Sequence, residues 1–188
     1  MLSFRFASAA VLALGLAFPT IASAAERLTI TLKTGDVVIE LAEDVAPQHA
    51  ARLKALADAG EYDNVAFHRV IEGFMAQTGD VQFADMKDGY QPRRAGMGGS
   101  SGPDLQAEFS DKPFVRGTVG MARSQNPNSA NSQFFIMFAP APNLNGQYTV
   151  VGEVVEGMEH VDQIKRGDRS RNGAVADPDR MIKVRSGG

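Results

Sequence analysis

Short apolar runs with a period of two recur along this 188-residue chain, and they constrain its fold more than any other feature. Leu28, Ile30 and Leu32 alternate with polar residues, Lys33, Thr34, Gly35 and Asp36 supply turn chemistry, and Val37, Ile39 and Leu41 resume the alternation. That pattern is a hairpin with one buried face. Further strands are expected over residues 67–70, 74–77, 117–121, 133–138, 148–155 and 181–184. Helical spacing shows in two places. Pro47, tolerated in a first turn, opens a helix to Ala59 in which Ala50, Leu53, Leu56 and Ala57 follow helical spacing, and Gly60 can end it. A shorter helix is expected over residues 158–165, with Val161 and Ile164 on one side. Many short strands with two helices predict a mainly β fold, a barrel or sandwich capped by helices, and argue against a doubly wound sheet. The glycine- and proline-rich stretch 79–111 shows no sustained period and is expected to be a long loop ordered by packing.

Composition narrows the class. A hydrophobic content of 44% and a charged content of 22% suit one globular domain of this length. With no cysteine, no disulfide staples the fold and no thiol binds metal or attacks a substrate. A formal net charge of −3 and scattered basic residues argue against nucleic acid as the partner. The N-terminal stretch MLSFRFASAAVLALGLAFPTIASAAE has an arginine-bearing start, an apolar run and Ala22-Ser23-Ala24 before Ala25. This is the three-part pattern of a secretory signal peptide, and its apolar run is short for a membrane span. Residues 1–24 are therefore expected to be a cleaved signal and residues 25–188 a single exported domain, periplasmic and without stable membrane association. A monomer is expected.

Among candidate chemistries, metal binding is weak. His49, His68 and His160 lie far apart with no paired spacing, and His68 reads as a hydrogen-bonded structural histidine. Gly98-Gly99-Ser100-Ser101-Gly102 matches the G-x-S-x-G elbow, yet no strand precedes it and no helix follows, so serine catalysis is disfavoured. The stretch FHRVIEGFMAQTGD, residues 67–80, is more informative. It places Arg69, Phe74, Met75 and Gln77 close together with no nucleophile or strong acid among them, a plausible cradle for a neutral peptide segment. In residues 74–75 and 134–135 adjacent large apolar side chains should point to opposite faces of a strand, one of each pair away from the core.

Three blocks, FHRVIEGFMAQTGD (67–80), GTVGMARSQNPNSANSQFFIMF (117–138) and YTVVGEVVEGMEHVDQI (148–164), together resemble the cyclophilin family of peptidyl-prolyl cis-trans isomerases. The resemblance covers essentially the whole chain after the signal. It implies a closed eight-stranded antiparallel β-barrel capped by two helices, a substrate groove on its outer wall, proline-containing polypeptides as substrates, and no cofactor or metal. Carried over residue by residue, the catalytic arginine falls on Arg69 and the proline pocket on Phe74, Met75, Phe135 and Leu144. Peptide contacts fall on Gln77 and Ala122, with Gln133 beside them and Arg123 at the groove edge. Two positions depart from the family pattern: Asn143 stands where an aromatic is usual, and Tyr148 where histidine is frequent. The activity implied is rotation of Xaa-Pro bonds in exported proteins. A barrel that holds proline-containing segments without turning them over is the alternative.

Overall fold

The computed structural model describes residues 26–187; the expected signal peptide lies outside them. Eight strands form one antiparallel sheet: β1 (Arg27–Leu32), β2 (Gly35–Leu41), β3 (Arg69–Ile71), β4 (Met75–Thr78), β5 (Thr118–Met121), β6 (Phe134–Met137), β7 (Val150–Glu156) and β8 (Lys183–Ser186). Their order is β3-β4-β6-β5-β7-β2-β1-β8. The first hairpin stands as the alternation requires, with Leu28, Ile30, Leu32, Val37, Ile39 and Leu41 all buried. Helix α1 (Pro47–Asp58) starts on its proline and buries Ala50, Leu53 and Ala57 against the sheet. Helix α2 (Met158–Val161) is one turn, and Val161 and Ile164 anchor it in the core. No helix among the described residues is long and apolar enough to cross a membrane.

The expected closed barrel is corrected to an open sheet. Strands β3 and β8 are its two edges and do not pair with each other. Residues 173–182 run through the gap instead. Val70 N–H donates to Gly173 O at 2.8 Å, Phe67 N–H to Asp179 O at 2.8 Å, and Asn64 N–H to Met181 O at 2.7 Å, while Ile182 N–H reaches Thr31 O of β1 at 2.8 Å. The bridges across the gap are isolated ones, Arg69 to Ala174 and Ala66 to Arg180, and Ala174 also bridges to Asp168. The composition of this segment explains the interruption: Asn172 and Gly173 are left-handed, and Pro178 has no N–H to add to a ladder. β3 is also only three residues long, so it offers little edge to pair with.

Two apolar clusters lie on the two faces of the sheet. The larger fills its concave interior and includes Ile30, Ile39, Leu53, Tyr62, Phe67, Phe134 and Ile136. The smaller sits outside strands β4, β5 and β6 and comprises Met75, Phe114, Phe135, Met137, Ala141, Leu144 and Val150. Phe134 and Phe135 thus divide between the faces as their adjacency requires. Phe74 and Met75 do not: Phe74 lies in the turn before β4, and both belong to the outer cluster.

The long loop is irregular, as expected, and two side chains tie it down. The buried Asp80 carboxylate accepts from the backbone N–H of Gln82, Phe83, Gly96 and Gly98 at 2.7–3.1 Å. Asn131 accepts from Ser100 N–H at 2.8 Å and donates to Gly102 O at 3.0 Å. Buried backbone groups are satisfied by side chains where no ladder is available.

Candidate active site

The outer face of the sheet carries a row of residues set by strand register. Arg69 of β3 lies opposite Gln77 of β4, Gln77 opposite Phe135 of β6, and Phe135 opposite Gly120 of β5. Because side chains alternate along each strand, all four positions face away from the core. Gly120 is glycine for a steric reason: a Cβ there would sit 2.5 Å from both the Phe114 and Phe135 rings. Its absence lets those rings stack, with centroids 5.7 Å apart.

The Arg69 guanidinium is held on three sides by neutral groups. Nη1 donates to Gln77 Oε1 at 3.1 Å and lies 3.8 Å from Met75 Sδ. Nε donates to the Asn172 carbonyl at 3.0 Å and Nη2 to Asn172 Oδ1 at 3.1 Å. Burial pulls its pKa below the ordinary arginine value, with the Tyr148 hydroxyl acting weakly the other way. An arginine stays protonated regardless, so the site holds a fixed positive charge without a carboxylate partner. Gln77 passes the network on by donating to Gln133 Oε1 at 2.9 Å, and Gln133 donates to Gly98 O at 2.8 Å.

Beside this row lies a hollow of about 170 Å³, below the roughly 300–1,000 Å³ of drug-sized ligand sites and suited to a single side chain. Phe74, Met75, Phe135 and Leu144 supply its apolar walls, Tyr148 and Ala122 close it, and Arg69, Gln77 and Arg123 present their polar ends to it. Tyr148 packs edge-on to Phe135 at 6.0 Å, so the tyrosine provides an aromatic wall. The Arg123 guanidinium lies 4.3 Å over the Tyr148 ring and donates to Gln147 O at 2.8 Å, which fixes the groove edge. Leu144 ends a 3₁₀ turn, Pro142–Leu144.

Two expected residues fall outside this hollow. Gln133 lines the adjoining depression with Gly98 and Asn131. Asn143 is solvent-exposed and lines none of the wall. In a turn with three residues per revolution, placing Leu144 inward rotates its neighbour away. Asn172, Gly120 and Phe114 belong to the site's framework and were not anticipated. Asn172-Gly173 is a recognisable turn dipeptide, but nothing local announces that it meets a residue about a hundred positions earlier.

The competing chemistries find no geometry. Ser100 Oγ donates to Asn131 Oδ1 at 2.7 Å and has no histidine partner. Among the described residues, no three His, Asp or Glu side chains gather to hold a metal ion. His68 is buried, and the Ala66 carbonyl is close enough to act on its ring, although neither ring nitrogen makes a well-formed hydrogen bond among the described residues. The same Ala66 carbonyl also accepts from the Thr78 hydroxyl at 2.9 Å.

Known proteins carry the same pattern. Residues 27–186 match the family described as cyclophilin type peptidyl-prolyl cis-trans isomerase. A probable peptidyl-prolyl cis-trans isomerase of Brucella suis is 61% identical over 181 residues, covering 95% of this chain and 92% of its own. A peptidyl-prolyl cis-trans isomerase of Arabidopsis thaliana is 39% identical over 153 residues, 76% of this chain and 88% of its own. A Cryptosporidium parvum cyclophilin type isomerase, crystallised in the presence of the dipeptide Ala-Pro, superimposes with a TM-score of 0.72 at 28% identity, over 86% of this chain and 99% of its own. A β-rich sheet with two helices, a one-side-chain apolar hollow beside a fixed guanidinium, and these likenesses converge: the chain belongs to the cyclophilin-type peptidyl-prolyl cis-trans isomerases, enzymes that need no cofactor.

Proposed function

We propose that the proline ring of a polypeptide substrate enters the hollow between Phe74, Met75, Phe135 and Leu144, and that Arg69 is the catalytic residue. The observation that carries this reading is the uncompensated Arg69 guanidinium, clamped by Gln77 and Asn172 at the rim of that hollow. An Xaa-Pro bond is nearly balanced between cis and trans, but rotation crosses a barrier of about 18–20 kcal/mol. Twisting breaks amide resonance and leaves a lone pair on the proline nitrogen. A donor fixed beside the ring meets that lone pair mainly in the twisted state, so it lowers the barrier rather than the ground state. The apolar walls hold the ring still while the preceding carbonyl turns. Gln77, Ala122 and Gln133 bind the backbone next to the proline, and Arg123 and Tyr148 close the edge.

Arg69→Ala is expected to reduce cis-trans exchange of an Ala-Pro peptide by about a hundred- to a thousandfold, the size seen when one transition-state donor is lost. Exchange spectroscopy by NMR measures it, and an unchanged rate rejects the assignment.

The polypeptides served are exported ones. The N-terminal three-part pattern supports a signal cleaved after Ala24, leaving a monomeric domain that works in the periplasm. Mass spectrometry of the protein recovered from that compartment should give Ala25 as the first residue; an intact Met1 start would reject cleavage.

A further inference from the structure

On the other side of Arg69 from the proline hollow lies a second and larger one, about 430 Å³. Its walls come from four separate stretches: His68 and Arg69 at β3, Gln77 of β4, the loop from Tyr90 to Met97, and residues 171–176. Three of its lining residues are arginines, Arg69, Arg93 and Arg171, and none is an acid. In a chain of formal net charge −3 this is a local inversion of sign. Two acids lie in the neighbourhood, one tied to the loop backbone and one paired with Arg171 of the hollow itself, which leaves Arg69 and Arg93 as its cations without a carboxylate partner among the described residues. Asp80 accepts from backbone N–H groups of the loop, including Gly96 at 2.7 Å, and Asp168 pairs with Arg171 at 3.2 Å. Arg93 is exposed at the rim, and Asn172, with its oxygens taken by Arg69, keeps its side-chain NH₂ as a donor.

His68 lies at the floor of this hollow. Its side chain lines this hollow, is only 5% exposed, and makes no well-formed hydrogen bond from either ring nitrogen among the described residues, the Ala66 carbonyl being its nearest acceptor. A polar group so deeply buried is costly unless something pairs with it. Burial pushes its pKa down to about 4, opposed in part by Asp80, so at neutral pH it is an uncharged imidazole able to donate one N–H. Gly96 packs closely over the ring, since a Cβ there would lie 3.2 Å from Nε2.

We propose that this hollow is a subsite for an acidic side chain, Asp or Glu, carried by the substrate polypeptide close to the proline that is turned. It rests on the isomerase reading above and names a preference within it. Arg69 and Gln77 line both hollows, so a residue near the proline reaches the second without the chain leaving the surface. Tethering to the bound proline supplies a high effective concentration, which lets an exposed arginine contribute where a free anion would be held weakly.

The test uses the mature protein and blocked peptides containing Ala-Pro, with Gln, Glu or Lys scanned through the three positions on either side. Affinity is read by NMR titration and turnover by exchange spectroscopy. At one or more positions the Glu peptide is expected to bind about two- to fivefold more tightly than the Gln peptide, the size of one partly exposed ion pair, and the Lys peptide more weakly. Arg93→Gln should erase the Glu advantage and leave affinity and exchange of the Gln peptide unchanged. Equal binding of Glu and Gln peptides at every position overturns the subsite, as does a preference that survives Arg93→Gln. Failure of the protein to accelerate exchange of the Gln peptide would overturn the isomerase reading instead, and the titration still decides the subsite.

Discussion

A single carboxylate organises the start of helix α1. Ala46 at its N-cap has no side chain able to accept the free N–H groups of the first turn. Glu108, from the far end of the long loop, takes their place: it accepts from Gln48 N–H at 3.2 Å, His49 N–H at 3.1 Å and His49 Nδ1 at 2.6 Å. Its burial works to raise the carboxyl pKa, but the bonds from the His49 side chain and the two backbone groups outweigh it and hold the pKa below the ordinary glutamate value. A folded-state pKa lowered in this way gives stability that is present above the unfolded value near 4.5 and is lost as pH falls through the folded value. Glu108→Ala is therefore expected to cost about 1–2 kcal/mol at pH 7, the size of a lost cap, and a smaller amount once the pH is well below 4.5. Urea unfolding at the two pH values measures both. An equal cost at each would mean that the carboxylate's charge plays no part.

At the scale of elements, what could be read from the sequence depended on whether the signal was local. The β1–β2 hairpin is legible because Leu28, Ile30 and Leu32 face Val37, Ile39 and Leu41 across a turn that the residues themselves dictate. Helix α1 is legible from Pro47 and its spacing. Strand β3 was expected two residues early, at Phe67, because Phe67 is buried and apolar although it pairs with residue 179 rather than with a strand. β8 was likewise expected at Met181, whose burial comes from the seam, and begins at Lys183. Burial without regular pairing looks like a strand from the sequence. The candidate site was legible largely through the family resemblance. The residues on their own said that the stretch 67–80 could cradle a neutral peptide segment and that the pairs 74–75 and 134–135 should each divide between two faces; Phe134 and Phe135 do, Phe74 and Met75 do not. Asn143 was placed in the groove by correspondence, and the 3₁₀ turn rotates it outward. Asn172 was not readable at all, because its role exists only once two distant stretches meet.

At the scale of the molecule, the open sheet and the tail that fills it bear on the site directly. Residues 173–182 bond to the backbone on either side of the gap, β8 then adds to β1, and Asn172 at the head of this segment clamps Arg69 from the side away from Gln77. The guanidinium thus has one support from its own hairpin and one from the end of the chain. Synthesis runs from the N-terminus, and a domain folds as a unit. A growing chain that already carries Arg69, the apolar walls and Tyr148 still has half of the clamp missing until Asn172 is made. On the proposed mechanism, Arg69 is only half supported until this segment docks. A chain ending at residue 171 is expected to exchange an Ala-Pro peptide no faster than buffer does, and ready catalysis by that truncated chain would contradict this timing. The guanidinium beside the hollow is thus completed by residues far later in the chain than the walls it serves.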